Sequence, residues 1–177
     1  MSESFASPRV QDGNPVRAPY NVLFLCVANS ARSLIAESIL NTIGGGRFRA
    51  YSAGSHPSGK VHPQAAALLR HKGFEIGSLR SKSWNEFVRV GAPAMDFAIT
   101  VCEPRETCPS WPGQPIHAHW DMSDPALVQT SPEDIAEAFA QSYRLLSDRL
   151  SDFVNLNMAG LSRLALRQHV QDIAHRI

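Results

Sequence analysis

Cys26 and Arg32, separated by Val27-Ala28-Asn29-Ser30-Ala31 and followed directly by Ser33, are the residues of this sequence best equipped to do chemistry together. A cysteine nucleophile acts as its thiolate, and attack on phosphorus, arsenic or sulfur requires the target's oxygens to be held and their charge offset. Arg32 supplies a planar fork of donors that fits two oxygens of a tetrahedral anion, where a lysine would be only a point charge. The backbone N–H groups of Val27, Ala28, Asn29, Ser30 and Ala31 would supply the rest if the run folds as a concave loop leading into a helix N-terminus. The same positive surroundings are expected to favour the thiolate of Cys26, and Ser33 is placed to donate its hydroxyl to that sulfur. Asn29, mid-loop, tolerates left-handed backbone and carries an amide that can brace a turn. The expected ligand is a phosphate-like oxyanion.

A bare C-x5-R match says little alone, because a cysteine closing an apolar run is often only a small core residue. The flanking elements decide its value. NVLFLCV, from Asn21 to Val27, is a nearly continuous apolar run, as in a strand covered on both faces of a parallel sheet. After the polar loop, Ile35, Ile39 and Ile43 recur every four residues and Gly44-Gly45-Gly46 follow, which predicts a helix and its stop. A second strand is expected over Arg47 to Ala53, and a helix from His62 with Pro63 in its first turn, ended by Gly73. Met95 to Cys102 and Ile116 to Trp120 read as two further strands. Ser131-Pro132-Glu133-Asp134 opens a long helix with Ile135, Phe139, Tyr143, Leu146, Leu150 and Phe153 on its core face. A last helix is expected over Leu161 to Arg176. Strands alternating with helices predict an α/β fold: a single three-layer domain, a four-stranded parallel sheet with helices on both faces. Ligands of such sheets bind beyond the carboxyl ends of the strands, where Cys26 and Cys102 both fall.

Bulk properties narrow the function further. A chain of 177 residues with 44% hydrophobic content suits one core. The net charge of +1 gives no field for nucleic acid or an anionic membrane, so an anion site must be local. No apolar run is long enough to span a bilayer or to serve as a signal peptide, and the expected compartment is the cytosol. Three cysteines, an odd number, suit free thiols or redox catalysis better than a structural disulfide framework. Residues 1–19, with Pro8, Pro15 and Pro19 and no apolar periodicity, read as a disordered leader before a domain over 20–177. Monomer is the default.

NVLFLCVANSARSLIAE and the later YSAG, Tyr51 to Gly54, resemble the opening strand, loop and helix of the low-molecular-weight protein tyrosine phosphatase superfamily. Within it, TVCEPRETCPSWPGQPIHAHWDMSDPA resembles the redox region of the thiol-dependent arsenate reductases. The resemblance implies arsenate reduction, with a phosphatase as the alternative. Cys26 would attack arsenate, Cys102 would attack Cys26 and release arsenite, and Cys108 would take over the disulfide and present it to an external reductant. The cysteine pair is one residue tighter than in thioredoxin-coupled members, and related enzymes use glutathione with glutaredoxin, or mycothiol. The resemblance therefore implies an external thiol of one of these kinds and no bound cofactor. Pro104, Pro109 and Pro112 around Cys108 exclude regular structure and would leave it free to swing.

Asp124, before Pro125, reads as a turn from composition; by the resemblance it is the general acid that protonates the leaving oxygen. Ala126, Leu127 and Val128 follow it, where the phosphatases place aromatic walls for a phosphotyrosine ring, and this favours a small inorganic anion. Glu37 and Ser52 match positions that help bind potassium in some arsenate reductases, but no full ligand set is legible and no metal is expected. Zinc at Cys102, Cys108, His117 and His119 would need spacing this sequence lacks. Trp111 and Trp120 read as packing residues.

Overall fold

The computed structural model describes residues 10–11, 14–15, 17–103 and 108–176. Val10–Gln11 (β1) pairs antiparallel with Asn14–Pro15 (β2) inside the stretch expected as a leader, and the rest of 1–16 lies outside the described residues. The main sheet is built from β3 (Tyr20–Cys26), β4 (Phe48–Gly54), β5 (Phe97–Thr100) and β6 (Ile116–His119). Its order is β4-β3-β5-β6 and every pair is parallel. The apolar run of β3 has a direct cause: Val22 and Phe24 pack into one core cluster while Leu23 and Leu25 pack into another on the opposite face.

The α-helices are α1 (Arg32–Ile43), α2 (Pro63–His71), α3 (Pro132–Val154) and α4 (Arg163–Asp172). Helices cover both faces of the sheet, but unequally. Buried residues of all four α-helices join the larger cluster, including Ile35, Leu69, Phe139 and Val170. The opposite cluster is closed by the short 3-10 helix Trp84–Phe87 and by Met95 and Trp111 from loops. The start of α3 is fixed as its sequence requires: Ser131 Oγ accepts from the Asp134 N–H at 3.1 Å, with Pro132 in the first turn.

Strand order creates the crevice. The chain leaves β3 through α1 to β4 on one side, then returns past β3 to β5 on the other, so the connections after β3 and β5 diverge at the sheet's carboxyl edge. Cys26 ends β3 opposite Gly54 of β4, and Cys102 lies two residues beyond β5.

Candidate active site

Five residues must turn the chain between the end of β3 at Cys26 and the start of α1 at Arg32. They form a ring whose carbonyls face outward. The Cys26 carbonyl accepts from the Ser55 N–H at 3.3 Å, Val27 from His56 at 3.0 Å, Ala28 from Ser58 at 2.9 Å and Ser30 from His62 at 2.8 Å. A trans peptide holds its C=O and N–H on opposite sides, so each outward carbonyl turns the following N–H inward. Those of Val27, Ala28, Asn29 and Ala31 are so directed. Ala31, the N-cap of α1, makes no side-chain cap and the first turn carries no acidic residue, so the helix's positive end faces the same hollow.

Two donors converge on the sulfur. The Asn29 N–H reaches Cys26 Sγ at 3.2 Å, and Ser33 Oγ lies 2.9 Å from it. Asn29 Nδ2 donates to Ser33 Oγ at 2.9 Å, which leaves the Ser33 proton for Cys26. Asn29 itself is fully buried with φ +43°, held because Nδ2 also donates to Ser52 Oγ at 2.9 Å and Oδ1 accepts from the Lys82 N–H at 2.8 Å. Gly54 lies against the loop's outer wall. A Cβ there would meet the Val27 carbonyl oxygen at 2.2 Å and the Asn29 nitrogen at 3.0 Å.

Arg32 closes the open side of the hollow. Its Nη1 donates to the Met122 carbonyl at 3.0 Å and its Nη2 to Asp124 Oδ2 at 2.7 Å. The other carboxylate oxygen accepts from the Ala126 N–H at 3.1 Å, capping the 3-10 helix Pro125–Leu127. Arg32, Asp124, Ala28, Cys102 and the exposed Leu127 line a cavity of about 710 Å³. A second cavity of about 280 Å³ adjoins it, and Cys26, Cys102 and Cys108 all line it together with Trp84, His117 and His119.

Burial pushes the Cys102 thiol's pKa up and the neighbouring Cys26 adds to this, while Arg32 and the Val27 N–H pull the other way. Cys108 is half-buried against the cluster that holds Trp111; Pro104, expected to help free this segment, lies outside the described residues. His117, beside the thiols, has its pKa lowered by burial and then by His119, Arg167 and Arg163. Among the described residues no group of three or more His, Cys, Asp or Glu is arranged to hold a metal ion.

The family model of low molecular weight phosphotyrosine protein phosphatase matches residues 21–165. The chain belongs to this family. It is 31% identical over 133 residues to an arsenate reductase of Oceanobacillus iheyensis, a match that covers 75% of this chain and 93% of that one. It is 33% identical over 105 residues to a glutaredoxin arsenate reductase of Synechocystis, covering 59% and 77% respectively. A solved arsenate reductase in the phosphate binding state superposes with a TM-score of 0.60 at 28% identity, over 76% of this chain and 96% of that one. A thioredoxin-dependent arsenate reductase of Corynebacterium glutamicum superposes with a TM-score of 0.53 at 25% identity, over 77% and 64%.

In this low molecular weight phosphatase fold Cys26, Val27, Ala28, Arg32, Asp124, Cys102 and Cys108 line two adjoining cavities, with Ser33 Oγ 2.9 Å from Cys26 Sγ and Asn29, Ser30 and Ala31 completing the loop behind them. Sequence reading did not reach two supporting residues. Lys82 sits in the polar run Ser81-Lys82-Ser83, which reads as solvated chain, yet it is 8% exposed. Arg149, on a helix rich in surface charge, is 7% exposed and binds backbone carbonyls of the segment that leads to Asp124. Helical periodicity could have placed Arg149 on the core face, one turn from Leu146 and Phe153. No local pattern marks Lys82.

Proposed function

We propose that this protein reduces arsenate to arsenite through a thiol–disulfide relay. The observation that carries the reading is that Cys26, Cys102 and Cys108 line a single cavity beside the anion loop, since a phosphatase of this fold needs only the first sulfur. The arsenate relatives support the same substrate.

Arsenate enters the ring of loop N–H groups and is gripped by Arg32. Cys26 Sγ attacks arsenic, an As–O bond breaks, and Asp124 gives a proton to the departing oxygen, which leaves as water. Cys102 Sγ then attacks Cys26 Sγ. The electron pair of the S–As bond passes to arsenic, arsenic(V) becomes arsenic(III), arsenite departs and a Cys26–Cys102 disulfide remains. Cys108 attacks Cys102, returns Cys26 as a thiolate and carries the disulfide to the surface. An external dithiol protein or small thiol supplies the two electrons that reset the enzyme. Thioredoxin, glutathione with glutaredoxin, and mycothiol are the donors to try, and relatives named for thioredoxin and for glutaredoxin support a thiol donor.

Arsenite release assayed with each donor in turn tests the proposal. Cys26→Ser should abolish all turnover, and Cys102→Ser should abolish multiple-turnover arsenate reduction while aryl phosphate hydrolysis survives. Arsenate turnover undiminished in Cys102→Ser would refute the relay. Efficient aryl phosphate hydrolysis with no reductant-dependent arsenite from any donor would make the protein a phosphatase.

A further inference from the structure

Beneath the anion loop lies a buried charged group that the reaction above does not use. The Lys82 ammonium donates to the Arg80 carbonyl at 3.1 Å, to Ser52 Oγ at 3.3 Å and to Glu37 Oε2 at 3.5 Å. The lysine side chain is 8% exposed and that of Glu37 16%, so neither charge is solvated as a surface pair would be. Ser52 Oγ donates in turn to Glu37 Oε2. The lysine backbone is tied to the same place: its N–H donates to Asn29 Oδ1, and its carbonyl accepts from the Gly54 N–H at 3.0 Å. Four segments meet here, namely the loop, α1, β4 and the chain before the Trp84–Phe87 turn.

The direction of each hydrogen bond follows from the ammonium. Lys82 Nζ has protons only, so Ser52 Oγ accepts from it and spends its own proton on Glu37. Ser52 Oγ must then accept from Asn29 as well, which requires the amide NH2 rather than the amide oxygen on that side. With Asn29 so oriented, its other N–H goes to Ser33 Oγ and the Ser33 proton is left to face Cys26. Without a cation at this point, Glu37 would be a largely buried carboxylate with no opposite charge, and Ser52 Oγ would lose the donor that fixes where its own proton points, although the Lys82 backbone N–H would still hold Asn29 Oδ1. A Ser52 proton turned toward Asn29 Nδ2 would break the contact that braces the amide and loosen its hold on Ser33.

Glu37 and Ser52 are the two residues whose positions in some relatives help bind potassium. Here the lysine ammonium lies between their oxygens, so the residues present do not suit an added metal cation. We propose that Lys82 is a positioning residue, a built-in cation whose charge holds the Ser52 hydroxyl against Glu37 and, through the Asn29 amide braced on Ser52, keeps the Ser33 hydroxyl directed at Cys26. The proposal rests on Cys26 being the nucleophile. Burial lowers the Lys82 pKa, and Glu37 opposes that lowering. The other charges facing it are Arg80 and Glu86, which form their own exposed pair.

The test compares Lys82→Met, Lys82→Arg and Lys82→Ala in single-turnover attack on arsenate and in aryl phosphate hydrolysis. Lys82→Met should lower kcat about tenfold or more while the KM for the anion moves less than about threefold, because Arg32 and the loop amides remain. Lys82→Arg should keep most of the rate. Methylammonium should restore Lys82→Ala saturably, and methanol, of similar size but neutral, should not. A wild-type kcat in Lys82→Met, or equal rescue by methylammonium and methanol, would overturn the proposal. So would parallel losses of kcat and thermal stability that vanish when each variant is assayed well below its melting temperature. Cys26→Ser separates the two readings: full activity there sinks the nucleophile, whereas an inert Cys26→Ser beside a fully active Lys82→Met sinks only the lysine's role.

Discussion

Gly54 and Cys102 show how single atoms set the chemistry. No glycine-specific φ is needed at Gly54; the missing Cβ is what counts, because the Val27 carbonyl would lie 2.2 Å from it and a backbone oxygen cannot yield as a flexible side chain can. Gly54→Ala should therefore displace the loop and reduce kcat/KM for arsenate by about tenfold or more, with a stability cost of about 1–3 kcal/mol from overpacking. Sulfate affinity by calorimetry should fall in parallel, and unchanged affinity would show that the loop adjusts. At Cys102 the raised pKa gives a pH signature. The thiolate fraction grows as pH climbs, so the step forming the Cys26–Cys102 disulfide should accelerate above neutrality in rapid-quench measurements. Stability moves the opposite way. The folded protein keeps a proton that the unfolded chain gives up first, so stability is whole below the thiol's ordinary titration and is lost as pH rises through the folded value. Denaturant midpoints between about pH 8 and pH 10 should fall more steeply in wild type than in Cys102→Ser.

The elements depend on ties that cross them. Arg149 of α3 donates to the Trp120 carbonyl at 3.0 Å, to the Asp121 carbonyl at 3.2 Å and to the Ala174 carbonyl at 2.9 Å. It pins the exit of β6 and the chain after α4 to one helix, and burial lowers its pKa while Asp121 opposes that. The segment it holds runs straight to Asp124, so a helix on the covered face sets where that carboxylate stands. Arg149→Met strands three carbonyls, one buried and two partly so, but also removes a buried charge; the net loss should be about 2–3 kcal/mol. Urea unfolding at constant m-value reads that loss. Activity of Arg149→Met should drop at temperatures where it is still fully folded, and Asp124→Asn should add little to the defect if both act through the same segment.

Across the whole molecule, the two faces of the sheet carry different loads. One has four α-helices and a cluster rich in fully buried side chains such as Phe24, Trp120, Phe139 and Phe153. The other is closed by one 3-10 turn and loops, and it borders the cavity shared by the three sulfurs. Thiol relays need sulfurs that move by several ångströms, and motion costs least where few groups are packed. Amide hydrogen exchange should show near-global protection in β3, α1 and α3, and faster local opening around Trp84–Phe87 and residues 108–114. Oxidation of the thiols should alter protection only in the second group. Uniform protection across both faces would contradict this division.

Local sequence settled what local physics controls. The apolar run of β3, the four-residue spacing of isoleucines in α1 and the Ser131 cap of α3 each favour one local conformation, and they place the C-x5-R run between a strand and a helix. Residue chemistry alone singled out the thiol, the guanidinium and Ser33. Tertiary structure decided the remainder, because it depends on contacts between residues distant in the chain. Arg32 meets Asp124 across 92 positions, Lys82 meets Asn29 across 53, and Arg149 meets Trp120 across 29. A buried charge is tolerable only where the fold brings its partners, and no short stretch of sequence records who those partners will be.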